Sequence, residues 1–115
     1  MKNINIVDTI KSEFAVSPED GDIIYSLISH NLSNNHSVCL NFENVDIITT
    51  AFLNNAIGKL YKEFDKEKLN KFITMKNKSD SDLALLKKVI DRAKITFTDE
   101  EIKIIGEEIG DDQSN

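Results

Sequence analysis

Short apolar runs alternate along this chain with longer stretches of helical spacing, and this alternation limits the folds open to it. The runs of strand length are residues 4–10, 12–16, 37–42, 71–75 and 94–97. The stretches in which apolar residues recur at helical spacing are residues 17–32, 52–64, 83–93 and 98–109. Strands that alternate with helices pack in layers in which neighbouring strands are parallel. The sequence therefore predicts an α/β fold with a mixed, largely parallel β-sheet of about four to five strands packed with helices.

One domain is expected from the length of the chain. Its 115 residues, of which 40% are hydrophobic, can form a single core but not two. The domain is predicted at residues 1–110, with residues 111–115 as a disordered polar tail. The first two extended runs come close together before any long helix. They are therefore predicted to form an antiparallel pair at one side of the sheet.

Several polar residues mark predicted helix boundaries. Ser17 is the expected N-cap of a helix whose first position is Pro18, where the missing N–H is harmless. Ser79 or Ser81 is expected to cap the helix that follows the strand candidate at residues 71–75. Thr98, with a glutamate three residues further on, forms a capping box for a last helix.

The run at residues 37–42 is almost continuously apolar, which is typical of a central strand covered on at least one face. Its cysteine, Cys39, is therefore predicted to be buried. In the helix that follows, Phe52 belongs to a wide apolar stripe and should lie in the core. The charged residues 65–70 are expected to connect this helix to the strand at 71–75.

The charge of the chain excludes several classes of partner. A formal net charge of −6 does not suit nucleic acid or an anionic membrane surface, since either needs a clustered basic face.

No apolar stretch approaches the ~20 residues of a membrane span, and the N-terminal sequence lacks the apolar segment of a signal peptide. The single cysteine excludes an internal disulfide framework. We expect a cytoplasmic protein.

A search of the sequence for chemistry mostly returns negatives. His30 and His36 have no ligand partners at metal spacing, and the glycines form no phosphate-binding pattern. Cys39 is better explained as a buried structural thiol than as a nucleophile. Glu43 and Asp46 follow a strand, where carboxylates are ordinarily solvated. The sequence therefore predicts no metal, no cofactor and no enzymatic activity.

Residues 40–60 carry a recognisable pattern, LNFENVDIITTAFLNNAIGKL. An aliphatic strand is followed by a loop, a pair of hydroxyl residues and a glycine-containing helix, in that order and at similar distances to those of the STAS domain. The segment resembles in particular the STAS-like branch of uncharacterised function. The segments at 21–32 and 71–77 fall where that branch has its first helix and its next strand, so the resemblance covers most of residues 14–95. Asn41 stands where the branch usually has aspartate.

The resemblance implies a protein-interaction module. STAS domains of the anti-sigma factor antagonist kind bind a kinase-like ATPase, and a phosphorylated Ser or Thr in the motif Asp-Ser-[Ser/Thr]-Gly-Leu switches that binding. On this chain Thr50 takes the phosphorylated position. Leu53 and Gly58 match the motif's Leu and the later Gly, whereas Thr49 and Phe52 replace its Asp and its first Gly.

The resemblance thus implies a partner-switching or adaptor role, with docking through the loop at residues 44–50 and the start of the following helix. The expected switch residues are Thr50 and Thr49. The expected docking residues are Asn44, Asp46, Thr49, Thr50, Leu53 and Asn54. The partner would be a protein, for which the resemblance suggests a histidine-kinase-like ATPase or another signalling domain.

Two alternatives stay open at this point. Thr50 or Thr49 can be a helix cap without any switching role, a contribution of ~1 kcal/mol. The chain can also be a small-ligand-binding or enzymatic α/β domain that uses the same loop, with Asp46, Thr49 and Thr50 as its polar groups. Because no base or nucleophile constellation accompanies them, the binding module is the favoured interpretation. Gly58 in mid-helix favours close packing against a neighbouring element.

Overall fold

A computed structural model describes the backbone of residues 1–106 and the side chains of residues 1–93. Within this part of the chain the strands are β1 Lys2–Asn5, β2 Phe14–Ala15, β3 Val38–Asn41, β4 Ile47–Ile48 and β5 Ile73–Lys76. The helices are α1 Ile6–Ile10, α2 Pro18–Ser33, α3 Thr50–Leu53, α4 Leu60–Glu63, α5 Lys66–Phe72 and α6 Asp80–Gly106, with a π-helical turn Asn54–Gly58 between α3 and α4. The predicted α/β class is confirmed.

The strands form two sheets in which every pairing is parallel. The larger sheet has the order β1-β3-β5, and the smaller one pairs β2 with β4. The predicted central strand is therefore confirmed as β3, and Cys39 on it is 8% exposed. The predicted antiparallel pair is wrong, because β1 and β2 belong to different sheets.

Helix α1 accounts for that difference. The run at residues 4–10 is a strand only as far as Asn5, and the Asn5 side chain then accepts a hydrogen bond of 2.9 Å from the amide of Asp8. This N-cap starts a helical turn, which separates β1 from β2 and sends the chain to a second sheet. The short extended run at 12–16 is confirmed as β2.

Two of the predicted helix caps are confirmed. The Ser17 hydroxyl accepts a hydrogen bond of 3.1 Å from the amide of Asp20, and Pro18 is the first residue of α2. The Ser79 hydroxyl accepts one of 3.0 Å from the amide of Asp82 at the start of α6. Caps of this kind depend on residues two or three positions apart, so the sequence reveals them directly.

Other predicted boundaries are wrong. Residues 66–70, within the predicted connection, are helical, because Lys66–Phe72 is mostly a run of good helix formers that begins directly after Asp65. The predicted strand at 94–97 and the helix start at Thr98 are absent, since α6 continues from Asp80 to Gly106. The sequence contains neither glycine nor proline between those ends, so nothing interrupts the helix. The expected domain end at 110 and the tail at 111–115 lie outside the described residues.

The core lies between the larger sheet and the helices. Helix α2 packs against α3 and the π-helical turn, and α6 packs against the same turn and α4. The fully buried large side chains are Ile4, Ile6, Ile24, Ile28, Leu32, Val38, Leu40, Phe52, Leu53, Leu60 and Val89. Burying each is worth about 1.5–3 kcal/mol. The predicted core position of Phe52 is confirmed. Within residues 1–106, none of the helices combines the length and the apolar character that crossing a membrane requires.

A candidate docking site around Thr49 and Thr50

The smaller sheet brings two helix starts together. Strand β2 leads into α2, and β4 leads into α3. Phe14 pairs with Ile47 and Ala15 with Ile48, and the ladder continues with a hydrogen bond of 3.1 Å from the Thr49 amide to the Ala15 carbonyl. Because the strands are parallel, both helices begin at the same edge of this sheet, as is usual for ligand and partner sites in parallel α/β folds.

Thr49 is the N-cap of α3. Its hydroxyl oxygen accepts a hydrogen bond of 3.3 Å from the amide of Phe52 and donates one of 2.8 Å to the carbonyl of Val16. The first bond satisfies an amide at the helix start, and the second fastens the end of β2 to the start of α3. The Thr49 side chain thus links the two strand–helix junctions.

Thr50 is the first residue of α3 and is half-buried. Within residues 1–93 its hydroxyl makes no hydrogen bond, in contrast to that of Thr49. The structure therefore separates the two threonines that the sequence could not: Thr49 caps the helix, whereas the Thr50 hydroxyl has no hydrogen-bond partner among the described side chains and backbone.

The loop before these threonines is exposed and held by its backbone. The amide of Asp46 donates a hydrogen bond of 2.8 Å to the carbonyl of Glu13. Asn41 shapes the turn after β3, since its side-chain oxygen accepts hydrogen bonds from the amide of Glu43 at 3.0 Å and from the side chain of Asn77 at 2.8 Å. Asn44 has a positive φ of 67°, a conformation that asparagine tolerates well.

The remaining expected docking residues differ in exposure. Asn44, Asp46 and Asn54 are exposed, and Asn54 begins the π-helical turn. Leu53 is only 1% exposed and belongs to the core beside Phe52. Its side chain therefore has no place on a docking surface, because α3 turns it inward between the neighbouring helices.

Sequence reasoning missed three residues at this site. Phe14 and Ile47 on the smaller sheet, and Val16 directly after β2, are large apolar residues with exposed side chains. The available signal was alternation, because the intervening Ala15 is buried and so is Ile48 next to Ile47. Each strand is only two residues long, too short for that period to stand out in the sequence.

A polar clamp joins α2 to the π-helical turn. The side-chain amide of Asn55 donates hydrogen bonds to the carbonyl of Pro18 at 3.2 Å and to the carboxylate of Asp22 at 3.1 Å. Lys59 forms an ion pair with the same carboxylate. Turns of the π type often lie at functional sites, and this one is fixed to the start of α2.

Gly21 allows that close contact. A Cβ atom on it would lie 2.5 Å from the carbonyl oxygen of Phe52 and 2.9 Å from the Cβ of Asn55, so any side chain would force the two helices apart. At Gly58 the nearest atom to an added Cβ is Val89 Cγ1, at the ordinary contact distance of 3.7 Å. The close approach expected at Gly58 is therefore found at Gly21.

The described residues offer no assembled catalytic or metal-binding group near the threonines. His30 and His36 are exposed, and the part of the chain that could be searched contains no group of three or more metal-ligating His, Cys, Asp or Glu side chains. An open depression of about 610 Å³ is lined by Val7, Asp8, Lys11, Ser12, Glu13 and Phe14. It lies beside β2 and does not include residues of the loop at 44–50.

The fold is a small parallel α/β domain. At one edge of its smaller sheet, β4 is followed by the threonine pair and then by α3, which packs inward. The family model described as the STAS-like domain of unknown function (DUF4325) matches residues 20–83, more than half of the chain. The protein belongs to this STAS-like family, and the resemblance seen in the sequence is confirmed. The match includes both threonines and the π-helical turn. Comparison with curated proteins and with solved structures returned no match.

Proposed function

We propose that this protein is a non-enzymatic, cytoplasmic protein-interaction module that docks a partner at the loop of residues 44–50 and the start of α3. We further propose that phosphorylation of Thr50 controls the docking. The partner suggested by the STAS resemblance is a histidine-kinase-like ATPase. The STAS fold is in general associated with protein interaction, which supports the first part of this proposal.

The division of roles between the two threonines carries the proposal. Thr49 caps α3 and binds the Val16 carbonyl, so the cap at the helix start does not depend on the hydroxyl of Thr50. The Thr50 hydroxyl has no partner within the described residues. A phosphate can therefore be added there without breaking a hydrogen bond of the fold.

Phosphate at Thr50 would change the charge of the docking edge. It adds about −1.5 to −2 charge at neutral pH at the carboxyl end of β4, whereas the exposed carboxylates of Glu13 and Asp46 precede the amino ends of β2 and β4. The positive end of the helix dipole tolerates this charge locally. An apolar partner surface that covers Thr50 itself would be expelled, because the new charge must lose its water without gaining a counter-charge.

Affinity capture from the native cell tests the proposal. The parent, Thr50→Glu and Thr50→Ala proteins are used as bait, and mass spectrometry identifies the partner and any phosphopeptide that contains Thr50. We expect an ATPase of the histidine-kinase type with the parent and with Thr50→Ala, and its loss with Thr50→Glu. We also expect phosphate on Thr50 in part of the native protein.

Ser81→Glu is the matched control. Ser81 is exposed in the first turn of α6, so this change adds the same charge at another helix start and should leave capture unchanged. The proposal fails if Thr50→Glu recovers the same partners as the parent, or if Ser81→Glu is as harmful as Thr50→Glu.

A further inference from the structure

The smaller sheet has one buried face and one exposed face. Ala15 and Ile48 are buried on the inner side, at 0% and 8% exposure. Phe14 and Ile47 lie on the other side, at 48% and 49% exposure, and Val16, the residue directly after β2, is 39% exposed. We call these three residues the outer face. Phe14 and Ile47 are direct register partners, so the face is continuous across both strands.

The outer face concentrates the apolar surface of the domain. Among residues 1–93, the exposed large hydrophobic residues are Met1, Phe14, Val16, Ile23, Ile47 and Leu83. Phe14 and Ile47 belong to these two short strands and Val16 directly follows β2, whereas the others are single residues elsewhere in the sequence. Scattered apolar side chains need no explanation, but a contiguous group on one sheet face marks an interaction site. Parallel strands are also normally covered on both faces, and this pair is not.

Acidic residues border the outer face. Glu13 and Asp46 precede Phe14 and Ile47, and the amide of Asp46 donates to the carbonyl of Glu13, so the two carboxylate residues are neighbours across the strands. Neither takes part in an ion pair within the described residues. Lys11 lines the same depression as Glu13 but forms no ion pair with it.

We infer that the outer face binds a protein surface whose apolar side chains are flanked by lysine or arginine. Such a partner covers Phe14 and Ile47 and places its cations beside the exposed carboxylates of Glu13 and Asp46. A second copy of this chain would instead bring the same carboxylates together, and the chain carries a net charge of −6.

This inference deepens the proposed function by naming the chemistry of the docked surface, and it rests on that function for the assumption that the partner is a protein. It concerns residues on and beside β2 and β4, whereas the switch concerns Thr50 on α3. The two can therefore be tested with different variants.

The test uses the full chain and two labelled amphipathic helical peptides, one of leucine and lysine and one of leucine and glutamate. Fluorescence anisotropy should show the lysine peptide bound about tenfold or more tightly than the glutamate peptide. The double variant Phe14→Ser/Ile47→Ser should lose about tenfold or more of that affinity. The double variant Glu13→Lys/Asp46→Lys should reverse the preference between the peptides.

Ile23→Ser/Leu83→Ser is the matched control, since it removes two exposed apolar side chains outside the outer face. It should bind the lysine peptide as the parent does, and circular dichroism should show all variants folded. The inference is overturned if the parent binds neither peptide, if it does not distinguish them, or if the control loses as much affinity as the outer-face variant.

Two further measurements separate other occupants. If sedimentation equilibrium shows a dimer that the Phe14→Ser/Ile47→Ser variant no longer forms, the face belongs to a second copy and the inference is overturned. If the protein floats with phosphatidylserine vesicles and this binding depends on Phe14 and Ile47, the face belongs to a membrane and the inference is also overturned. Loss of peptide preference leaves the Thr50 capture result untouched, so failure here is distinguishable from failure of the proposed switch.

Discussion

The two parallel sheets of this domain differ in how they are covered. In the larger sheet β3 lies between two partners, and Val38, Cys39 and Leu40 are all buried, so both of its faces are packed. In the smaller sheet only the inner face of β2 and β4 is packed. The same parallel pairing thus serves as a core in one place and as a half-open surface in the other.

The difference shows how stability and binding are separated in the chain. Apolar burial stabilises the fold in proportion to the area removed from water, and the larger sheet with its helices provides most of it. The smaller sheet can leave apolar side chains exposed because the junctions behind it are held by Thr49, by Gly21 and by the Asn55 clamp. Stability is local to one region, and the candidate docking surface lies in the other.

The largest expected effect contrasts the two sheets directly. Leu40→Ala removes a fully buried side chain from β3 and should lower the free energy of unfolding by about 2–5 kcal/mol. Ile47→Ala removes an exposed side chain and should change it by about 0.5 kcal/mol or less. Chemical denaturation of both variants measures the difference. Equal losses would mean that the outer face is part of the core, which would break the comparison.

The next effect concerns the contact that holds the two helix starts together. Gly21→Ala places a Cβ atom 2.5 Å from the Phe52 carbonyl oxygen. Because the backbone at Phe52 must move to relieve this clash, we expect the free energy of unfolding to fall by about 1–3 kcal/mol. Gly58→Ala is the control, because its Cβ finds ordinary contact distances and it restricts the unfolded chain. It should be neutral or stabilising by up to about 1 kcal/mol. Thermal unfolding that ranks the two variants in the opposite order would contradict this packing.

The sequence predicted features that depend on neighbouring residues. The caps at Ser17 and Ser79 and the buried strand around Cys39 were visible because a cap joins residues a few positions apart and a buried strand is a continuous apolar run. The same local reasoning failed at Asn5, whose cap turns a strand-like run into a helix. It also failed at residues 94–97, where only the absence of a helix stop distinguishes helix from strand.

The candidate site was only partly predictable for the same reason. The loop and both threonines were found from the sequence, but their separate roles were not, since the Thr49 bond to Val16 joins distant parts of the chain. The exposure of Phe14 depends on which strand pairs with β2. Gly21 and Gly58 are likewise indistinguishable until α2 is placed against the carbonyl of Phe52. Contacts between distant segments decide these features, and the spacing of residues does not encode them.

A smaller effect should distinguish the two threonines. Thr49→Ala removes the cap of α3 and the bond to Val16 and should cost ~1 kcal/mol, or up to about 2 kcal/mol. Thr50→Ala removes a hydroxyl without a partner in the described part of the chain and should cost about 0.5 kcal/mol or less. Urea denaturation with a common slope measures both. If Thr50→Ala is the more destabilising change, Thr50 has a structural role and the case for its being a switch is lost.

The smallest expected effect lies on the exposed side of the helix layer, where Tyr25 on α2 donates a hydrogen bond to the carboxylate of Glu63 on α4. That bond, and secondly burial, raises the pKa of Tyr25 above its ordinary value of about 10. The neutral phenol is therefore the form that stabilises the fold. Its contribution is complete below pH ~10 and is lost as the pH rises through the higher pKa of the folded state.

Comparison of the parent with Tyr25→Phe isolates this contribution, since phenylalanine keeps the ring 5.1 Å below the Lys59 ammonium group and removes only the hydroxyl. At neutral pH the parent should be more stable by about 0.5 kcal/mol or less, because water screens a bond at the surface. That advantage should shrink when unfolding is measured above pH ~10, and other groups that titrate there cancel between the two proteins. An advantage that grows with pH would mean that the ionised form is the stabilising one, in which case the link between α2 and α4 rests on another contact.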